Sequence, residues 1–411
     1  MVRRLSKSLV FLILLSSLFA VNSLLNAPRW GKAEGKVTLT GEVIAKNYNR
    51  VVLLDGENRL WSVRFLKNAK VYPGDRLTVE GRAYGGRVYA ERWKVERSLL
   101  QRWRLKVRSV LKERFLQTAE TKIQKKVGSA LLFGENWFSR REREKIAHLG
   151  IYHLIVISGM HYALFLTAFF FLPVRWGLRY WVALAFFTFF TFFILFPKAP
   201  AYRAFVSVAL FMVARLLLRN YDPLKALFLS AALWLALFPH WGTNVGFWLS
   251  YLASLALILY YGGRKTPEED FVRSVFGKTF GLEASVVVSA VINPLIAYFF
   301  KYLSFGVFLF GFLFTVLVQF FVVVGTFNLL TFWTLPPLVW LQNALAEAFG
   351  YLLKVLPESV YFEVSPFPFL FVLVFVSAAL LLLALPLRNK FWWTFGLLLV
   401  ETAFFLTHGR E

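Results

Sequence analysis

The chain has 411 residues, 58% of them hydrophobic and 18% aromatic, with a mean hydropathy of +0.58. Charged residues make up 17%, against about a quarter in soluble domains, which excludes an ordinary soluble globular protein. Cysteine is absent, ruling out disulfides and thiolate chemistry, and the formal net charge is +24.

The apolar excess falls in runs of about 20 residues, the length that crosses a bilayer core. The fold class is therefore a polytopic α-helical membrane protein. About half of the Lys and Arg residues lie between Pro28 and Val127, which marks that stretch as a separate charged unit.

Residues 1–27, MVRRLSKSLVFLILLSSLFAVNSLLNA, place Arg3, Arg4 and Lys7 before a long apolar run with no clean A-x-A site. They read as an uncleaved transmembrane anchor, with a signal peptide as the alternative. In either case the basic flank stays cytoplasmic and the following segment is translocated.

Residues 33–98 switch to a period of two. Five β-runs, around Val37–Val43, Val51–Leu53, Leu60–Phe65, Leu77–Val79 and Val88–Val95, are separated by Asn47-Tyr48-Asn49, Asp55-Gly56, Pro73-Gly74-Asp75 and Gly85-Gly86. Five short strands with these turns predict an extracytoplasmic OB-like β-barrel, with an SH3-like barrel also permitted. Residues 99–148 form a basic helical connector. In its first part Leu100, Trp103, Val107, Val110 and Leu111 make an apolar stripe among Arg and Lys. Such a helix lies on an anionic membrane, lines a groove for a polyanion, or packs on the barrel with a solvated charged face.

Residues 149–411 form the multi-span region. Spans are expected near 151–171, 178–196, 203–218, 223–238, 243–261, 282–300, 306–332, 367–386 and 390–407, the seventh long enough to be bent or doubled. Residues 338–360 read as an interfacial amphipathic helix. The loop between the fifth and sixth expected spans, residues 262–280, carries the acidic cluster Glu268-Glu269-Asp270. Its Gly277-Lys278-Thr279 has only the tail of a P-loop, since Val272 stands where the first Gly belongs.

The first span, YHLIVISGMHYALF at 152–165, holds two of the chain's five histidines. On one unbroken helix His153 and His161 are about 80° apart around the axis and about 12 Å apart along it. That is too far to share a metal ion, and no metal site is expected. Ser158 and His161 are i,i+3 neighbours, which raises an intramembrane serine hydrolase. Ile157 and Val156 precede Ser158 where a nucleophile turn needs glycine. The third reading makes Ser158-Gly159 a weak point in the helix, with its polar groups facing a pore. Elsewhere Arg203, Asn244, Ser250 and Asn293 are intramembrane polar candidates, while Arg215 and Arg219 snorkel. No mid-span carboxylate stands out to pair with Arg203, which favours an anionic ligand.

With these segments in place, the chain resembles the ComEC family of bacterial competence proteins, inner-membrane channels for incoming DNA. HLGIYHLIVISGMH is similar to that family's H-L-x-x-x-S-G-x-H signature, on His153, Leu154, Ser158, Gly159 and His161. The lead-in ALLFGENWFSRREREKIAHLG, the stretches from Ala199 to Pro239 and Asn244 to Ile258, and a barrel after an N-terminal span extend the resemblance. Two departures stand out. Trp248 replaces a polar residue of the family's G-F-Q-L-S-type run, and the His-rich motif of the metallo-β-lactamase-like domain of many members is missing from this sequence.

The resemblance implies a channel for single-stranded DNA in natural transformation, in the bacterial inner membrane, with no enzymatic activity and no cofactor. Its channel residues would be His153, Ser158, Gly159, His161, Arg203, Asn244 and Asn293. A basic barrel with aromatics suits single-strand binding through phosphate contacts and base stacking. The expected contacts are Trp61, Arg64, Phe65, Arg82, Tyr84, Arg87, Tyr89 and Arg92. Implied partners are membrane lipids, an extracytoplasmic DNA receptor, a separate nuclease and a cytoplasmic motor or helicase. A lipid or solute transporter is the other competing reading.

Overall fold

The computed structural model describes residues 7–47, 50–65, 69–170, 175–196, 198–262, 282–357, 360–387 and 389–408. The Glu268-Glu269-Asp270 cluster and Gly277-Lys278-Thr279 lie outside them. Helix α1 (Lys7–Leu25) leads into a sheet of six strands: β1 (Arg29–Trp30), β2 (Gly35–Asn47), β3 (Arg50–Asp55), β4 (Arg59–Phe65), β5 (Arg76–Tyr84) and β6 (Arg87–Glu96). In β5, Leu77, Val79, Gly81 and Ala83 point inward between exposed or half-exposed neighbours. This alternation is the period-two pattern of a strand with one buried face.

The strands pair in the ring β2–β3–β4–β6–β5–β2, antiparallel throughout except for the parallel β4–β6 closure. Parallel closure between the third and fifth long strands is the OB arrangement, so the SH3-like alternative falls away. The β5–β6 hairpin turns on Gly85 and Gly86, at φ +54° and +74°, a left-handed pair that glycine adopts without strain. Gly81 is required for a second reason: a Cβ there would lie 2.0 Å from the Tyr89 carbonyl oxygen. The barrel interior is a closed apolar cluster of its own, from Leu39 and Val43 to Val88 and Ala90.

Three helices connect barrel and membrane region: α2 (Leu99–Thr118), α3 (Lys122–Phe133) and α4 (Arg140–His148). Capping boxes start the latter two, from Thr121–Gln124 and Ser139–Glu142. Helix α2 corrects the expected stripe. Its buried face carries Gln101, Arg104, Arg108, Leu111 and Phe115, while Leu100, Trp103 and Val110 are more than half exposed. Three of the five stripe residues therefore face outward while Val107 and Leu111 pack inward, and Arg104 and Arg108 face the protein, which overturns the reading of an apolar stripe packed on the barrel under a solvated charged face.

The remaining helices are α5 (Tyr152–Ile155), α6 (Gly159–Phe170), α7 (Trp176–Phe189), α8 (Ala199–Leu216), α9 (Pro223–Leu237), α10 (Val245–Tyr261), α11 (Leu282–Phe300), α12 (Gly306–Leu330), α13 (Pro336–Val355), α14 (Phe369–Ala384) and α15 (Lys390–His408). Helix α7 continues through a π-helical turn at Phe190–Ile194, and the strands β7 (Tyr302–Ser304) and β8 (Tyr361–Glu363) pair antiparallel. Among the described residues five helical stretches are long and apolar enough to cross a membrane: Lys7–Leu25, Gly177–Ile194, Ala199–Leu216, Glu283–Phe300 and Gly306–Leu330. Shorter apolar helices cover Pro223–Leu237, Val245–Tyr261 and Phe369–Ala384. The chain is a multi-pass membrane protein behind an N-terminal barrel. The first expected span, 151–171, is broken rather than one helix, and of the two alternatives for 306–332 the doubled one falls away, since Gly306–Leu330 is one continuous helix.

Candidate functional site

The break in the first span falls at its Ser-Gly pair. Helix α5 stops at Ile155, Val156 is extended at φ −95° and ψ 126°, and α6 starts at Gly159. Ser158 precedes that start, and His161 stands three residues on. The His161 Nδ1 lies 3.3 Å from both the Ser158 backbone nitrogen and its Oγ. A side chain reaching back to the N–H at the head of a helix is a capping-box arrangement, with His in the place of Glu or Gln. Because Nδ1 accepts from the Ser158 N–H, the ring proton is assigned to Nε2. That atom is buried with no hydrogen-bond partner.

This geometry weakens the hydrolase reading. The Nδ1 lone pair is occupied by a backbone N–H, and no group orients the ring through Nε2 as a catalytic base requires. It also replaces the single-helix distance argument, since His153 belongs to α5, where its Nδ1 is 3.0 Å from the Gly150 carbonyl oxygen. We expect Ser158→Ala, which removes the Oγ contact to His161, to lower stability by about 1 kcal/mol, the usual net worth of a hydrogen bond, and Ser158→Thr to retain most of it. Thermal melts of the two variants in nanodiscs provide the check.

Arg203 sits beside the break. A Cβ at Gly159 would lie 3.3 Å from its guanidinium Nη2, so glycine leaves the space the cation fills. Arg203 is 9% exposed, donates from Nε to Ser250 Oγ at 2.9 Å and stands 5.9 Å from the Tyr251 ring centre. Among the described residues no carboxylate comes within ion-pair distance of it. The structure thus brings Ser158, Gly159, His161 and Arg203 together and adds Ser250. It does not bring Asn244 or Asn293 to the same place. Asn244 is the N-cap of α10, its Oδ1 accepting from Gly246 N–H at 2.8 Å. Asn293 is half-buried in α11, before Pro294.

A second cationic group, missed in the sequence, lies where the barrel meets the membrane helices. Arg104 donates to the Leu195 carbonyl. Arg108 donates to the Phe133 carbonyl at 2.9 Å and to Glu135 at 2.7 Å, and its guanidinium stands 4.1 Å from the Phe196 ring centre. Lys112 and Trp137 also donate to Glu135. Burial raises the pKa of the Glu135 carboxyl, but Arg108 and Lys112 outweigh it and hold the carboxyl at about 2. Two guanidinium nitrogens, Arg104 Nε and Arg108 Nη1, are buried without a partner. The sequence signal is the i,i+4 spacing of Arg104 and Arg108, masked by neighbouring apolar residues that suggest the opposite buried face.

On the barrel, cross-strand register aligns basic residues in one row. Arg50 pairs with Arg64, Arg64 with Tyr89, Tyr89 with Arg82 and Arg82 with Lys36. All five are exposed or half-exposed, so they run side by side over the outer face of β3, β4, β6, β5 and β2. Tyr84 is 58% exposed and pairs with Arg87, and Arg92 is exposed opposite Glu80. Trp61 and Phe65 do not belong to this surface. They are 4% and 2% exposed inside the barrel, with Trp61 Nε1 donating to Asp55 at 2.8 Å. The expectation that they stack bases is corrected: β4 alternates, and Arg64 occupies the outer phase between them. Trp93, 39% exposed, lies opposite Val79 and edge-on to Phe65, and Tyr89 is the β6 aromatic in the outer row.

A family model described as Competence protein matches residues 131–390, from the end of α3 to the start of α15. A protein of Aquifex aeolicus (strain VF5) described as uncharacterized is 30% identical over 307 residues, covering 69% of this chain and 67% of its own length. No solved structure matches. The matched stretch spans more than half of the chain and contains both the helix break and Arg203, so this chain belongs to the Competence protein family, whose role is DNA uptake.

Proposed function

We propose that the protein is a channel of the bacterial inner membrane that admits a single DNA strand during natural transformation, and that its barrel receives that strand on the outer side. The observation that supports this best is the row Lys36–Arg82–Tyr89–Arg64–Arg50 across the barrel wall. A row of four cations with a tyrosine at its centre, each about one strand spacing (roughly 5 Å) from the next, suits a phosphate backbone, and Tyr89, Tyr84 and Trp93 offer rings to unstacked bases. The ion pair of Arg82 with Glu91, 3.1 Å long and half exposed on both sides, is weak enough for a phosphate to displace. In this reading the break at Ser158-Gly159, with Arg203, is a contact point for the strand within the membrane. Membrane lipids surround the helices. An extracytoplasmic DNA receptor, a separate nuclease and a cytoplasmic motor or helicase are the proposed partners. The chain itself transports rather than catalyses.

The test is equilibrium binding of a labelled single strand to the full chain in nanodiscs of neutral lipid, over a range of salt. Affinity should fall steeply with salt. Replacing Arg64 and Arg82 together by Ala should flatten the log–log slope by about 1.4, two phosphates at about 0.7 each. An unchanged slope and affinity in that variant would remove the barrel from the DNA path.

A further inference from the structure

The middle of α15 holds a carboxylate that neither the helix break nor the barrel accounts for. Glu401 is 1% exposed, and both its oxygens are buried without a hydrogen-bond partner. Spacing fixes the direction it faces. Leu398, three residues before it, packs with Val286 and Ala290, and Phe405, four residues after it, packs in one cluster with Leu295 and Ala297. Residues at these offsets share a helix face, so Glu401 faces α11 at the level between Ala290 and Leu295. That level contains Asn293 and Pro294, and Pro294 has no N–H to give the Ala290 carbonyl.

An unpaired carboxylate in an apolar interior is strongly disfavoured, and taking up a proton removes that cost. Among the described residues no cation comes within ion-pair distance of it, and Lys301, just past α11, stands over the Tyr298 and Phe367 rings instead. Helix α11 has Glu283 at its start, bonded by the Tyr260 hydroxyl at 3.2 Å, and Tyr298 near its end. Helices α12 and α14 contain no titratable residue. On α15 itself Lys390, eleven residues away, donates to the carbonyls of Leu383 and Leu259, and His408 stands at the far end.

Helix α10 joins this place to the break. Trp248, Leu249 and Leu252 pack in the same cluster as Leu295 and Phe405, while Ser250, between them, accepts from Arg203. A shift of α11 against α15 therefore moves the helix that positions Arg203.

We propose that Glu401 is a proton-binding site within the membrane, and that its loading and unloading are coupled through α10 to passage of the strand. In each cycle one carboxylate oxygen takes up a proton, the neutral acid lets α11 and α15 pack closely, and release of the proton restores the charge and loosens that contact. The coupling rests on the channel reading above, whereas the proton site does not.

Two measurements on the full chain separate the parts. Infrared difference spectra of the protein in nanodiscs should show a neutral-carboxyl C=O band that E401Q removes. Absence of the band, or its persistence in E401Q, overturns the proton site whether or not the protein carries DNA. In a deletion strain, E401Q should lose transformation about tenfold or more at unchanged membrane abundance, with E401D restoring part of it, because Gln copies the neutral acid but cannot cycle a proton. Normal transformation by E401Q, with the band present in the wild type, overturns the coupling and leaves a buried neutral acid that only packs. If R203A transforms normally as well, the failure belongs to the channel reading instead.

Discussion

Replacing Glu135 by Ala should destabilise the junction between barrel and membrane helices by about 3–5 kcal/mol, the usual cost of stranding a buried charge. The Arg108 side chain is 3% exposed and that of Glu135 17%, so water screens the pair little. Without the carboxylate, Arg108 keeps the Phe133 carbonyl and the Phe196 face but no counter-charge, and Lys112 and Trp137 lose an acceptor. Replacing both charges, Arg108→Met with Glu135→Leu, should recover much of the loss, since apolar substitutes often equal a buried ion pair. Thermal melts in nanodiscs check the Glu135→Ala loss, and the cycle of wild type, Arg108→Met, Glu135→Leu and the double variant gives the coupling energy.

The same carboxylate sets an acid limit. Its folded value of about 2 lies below the ordinary 4.5, so the unfolded chain binds its proton first as pH falls. The stabilisation is complete above about 4.5 and is lost progressively toward about 2. The shift corresponds to roughly 3 kcal/mol at neutral pH. The wild type should therefore lose its advantage over Glu135→Gln as melts are taken down through that window. A difference that stays constant with pH would show that the carboxylate is not the group responsible.

Arg203→Ala should reduce transformation in a deletion strain by one to three orders of magnitude, because losing a buried charged contact to a ligand costs about 2–5 kcal/mol. Arg203→Lys should fall between the two. It keeps the charge, but an ammonium on a flexible stem does not reproduce the planar guanidinium held at Ser250 and over Tyr251. Membrane abundance of each variant, measured alongside, separates a missing contact from a missing protein. Uptake at the wild-type level in both would take the break out of the strand's path.

The barrel was legible because its signals are local. Period-two runs and Gly-Gly or Pro-Gly-Asp turns fix strands, and five of them in sequence admit few closures. Which aromatics face outward was not legible, because Trp61 and Phe65 are four residues apart and share one face of β4, and pattern alone does not say which face closes on the core. The apolar stripe of α2 misled for a related reason. Leu100, Trp103 and Val110 form a regular face, but tertiary packing buried the arginines opposite it, satisfied by carbonyls and Glu135 that come from distant segments. The Ser158-Gly159 weak point was readable from residue chemistry alone. The role of His161 as a partner of the helix start was not, since it depends on where the turn begins. The long apolar runs around Glu401 mask it in the sequence, and only packing shows that it has no partner among the described residues.

The outward stripe on α2 bears on how the barrel can be handled. Leu99, Leu100, Trp103 and Val110 are 72%, 67%, 55% and 56% exposed, beside Arg102 and Lys106 on the same helix. A soluble fragment carrying the barrel together with α2 should need detergent or lipid to stay dispersed, and should float with anionic vesicles. One that stops before Leu99 keeps the closed barrel and the Arg97–Asp75 pair at its base and should remain monomeric in plain buffer. The boundary between a tractable fragment and a sticky one is thus a single residue, Ser98, the N-cap of that helix.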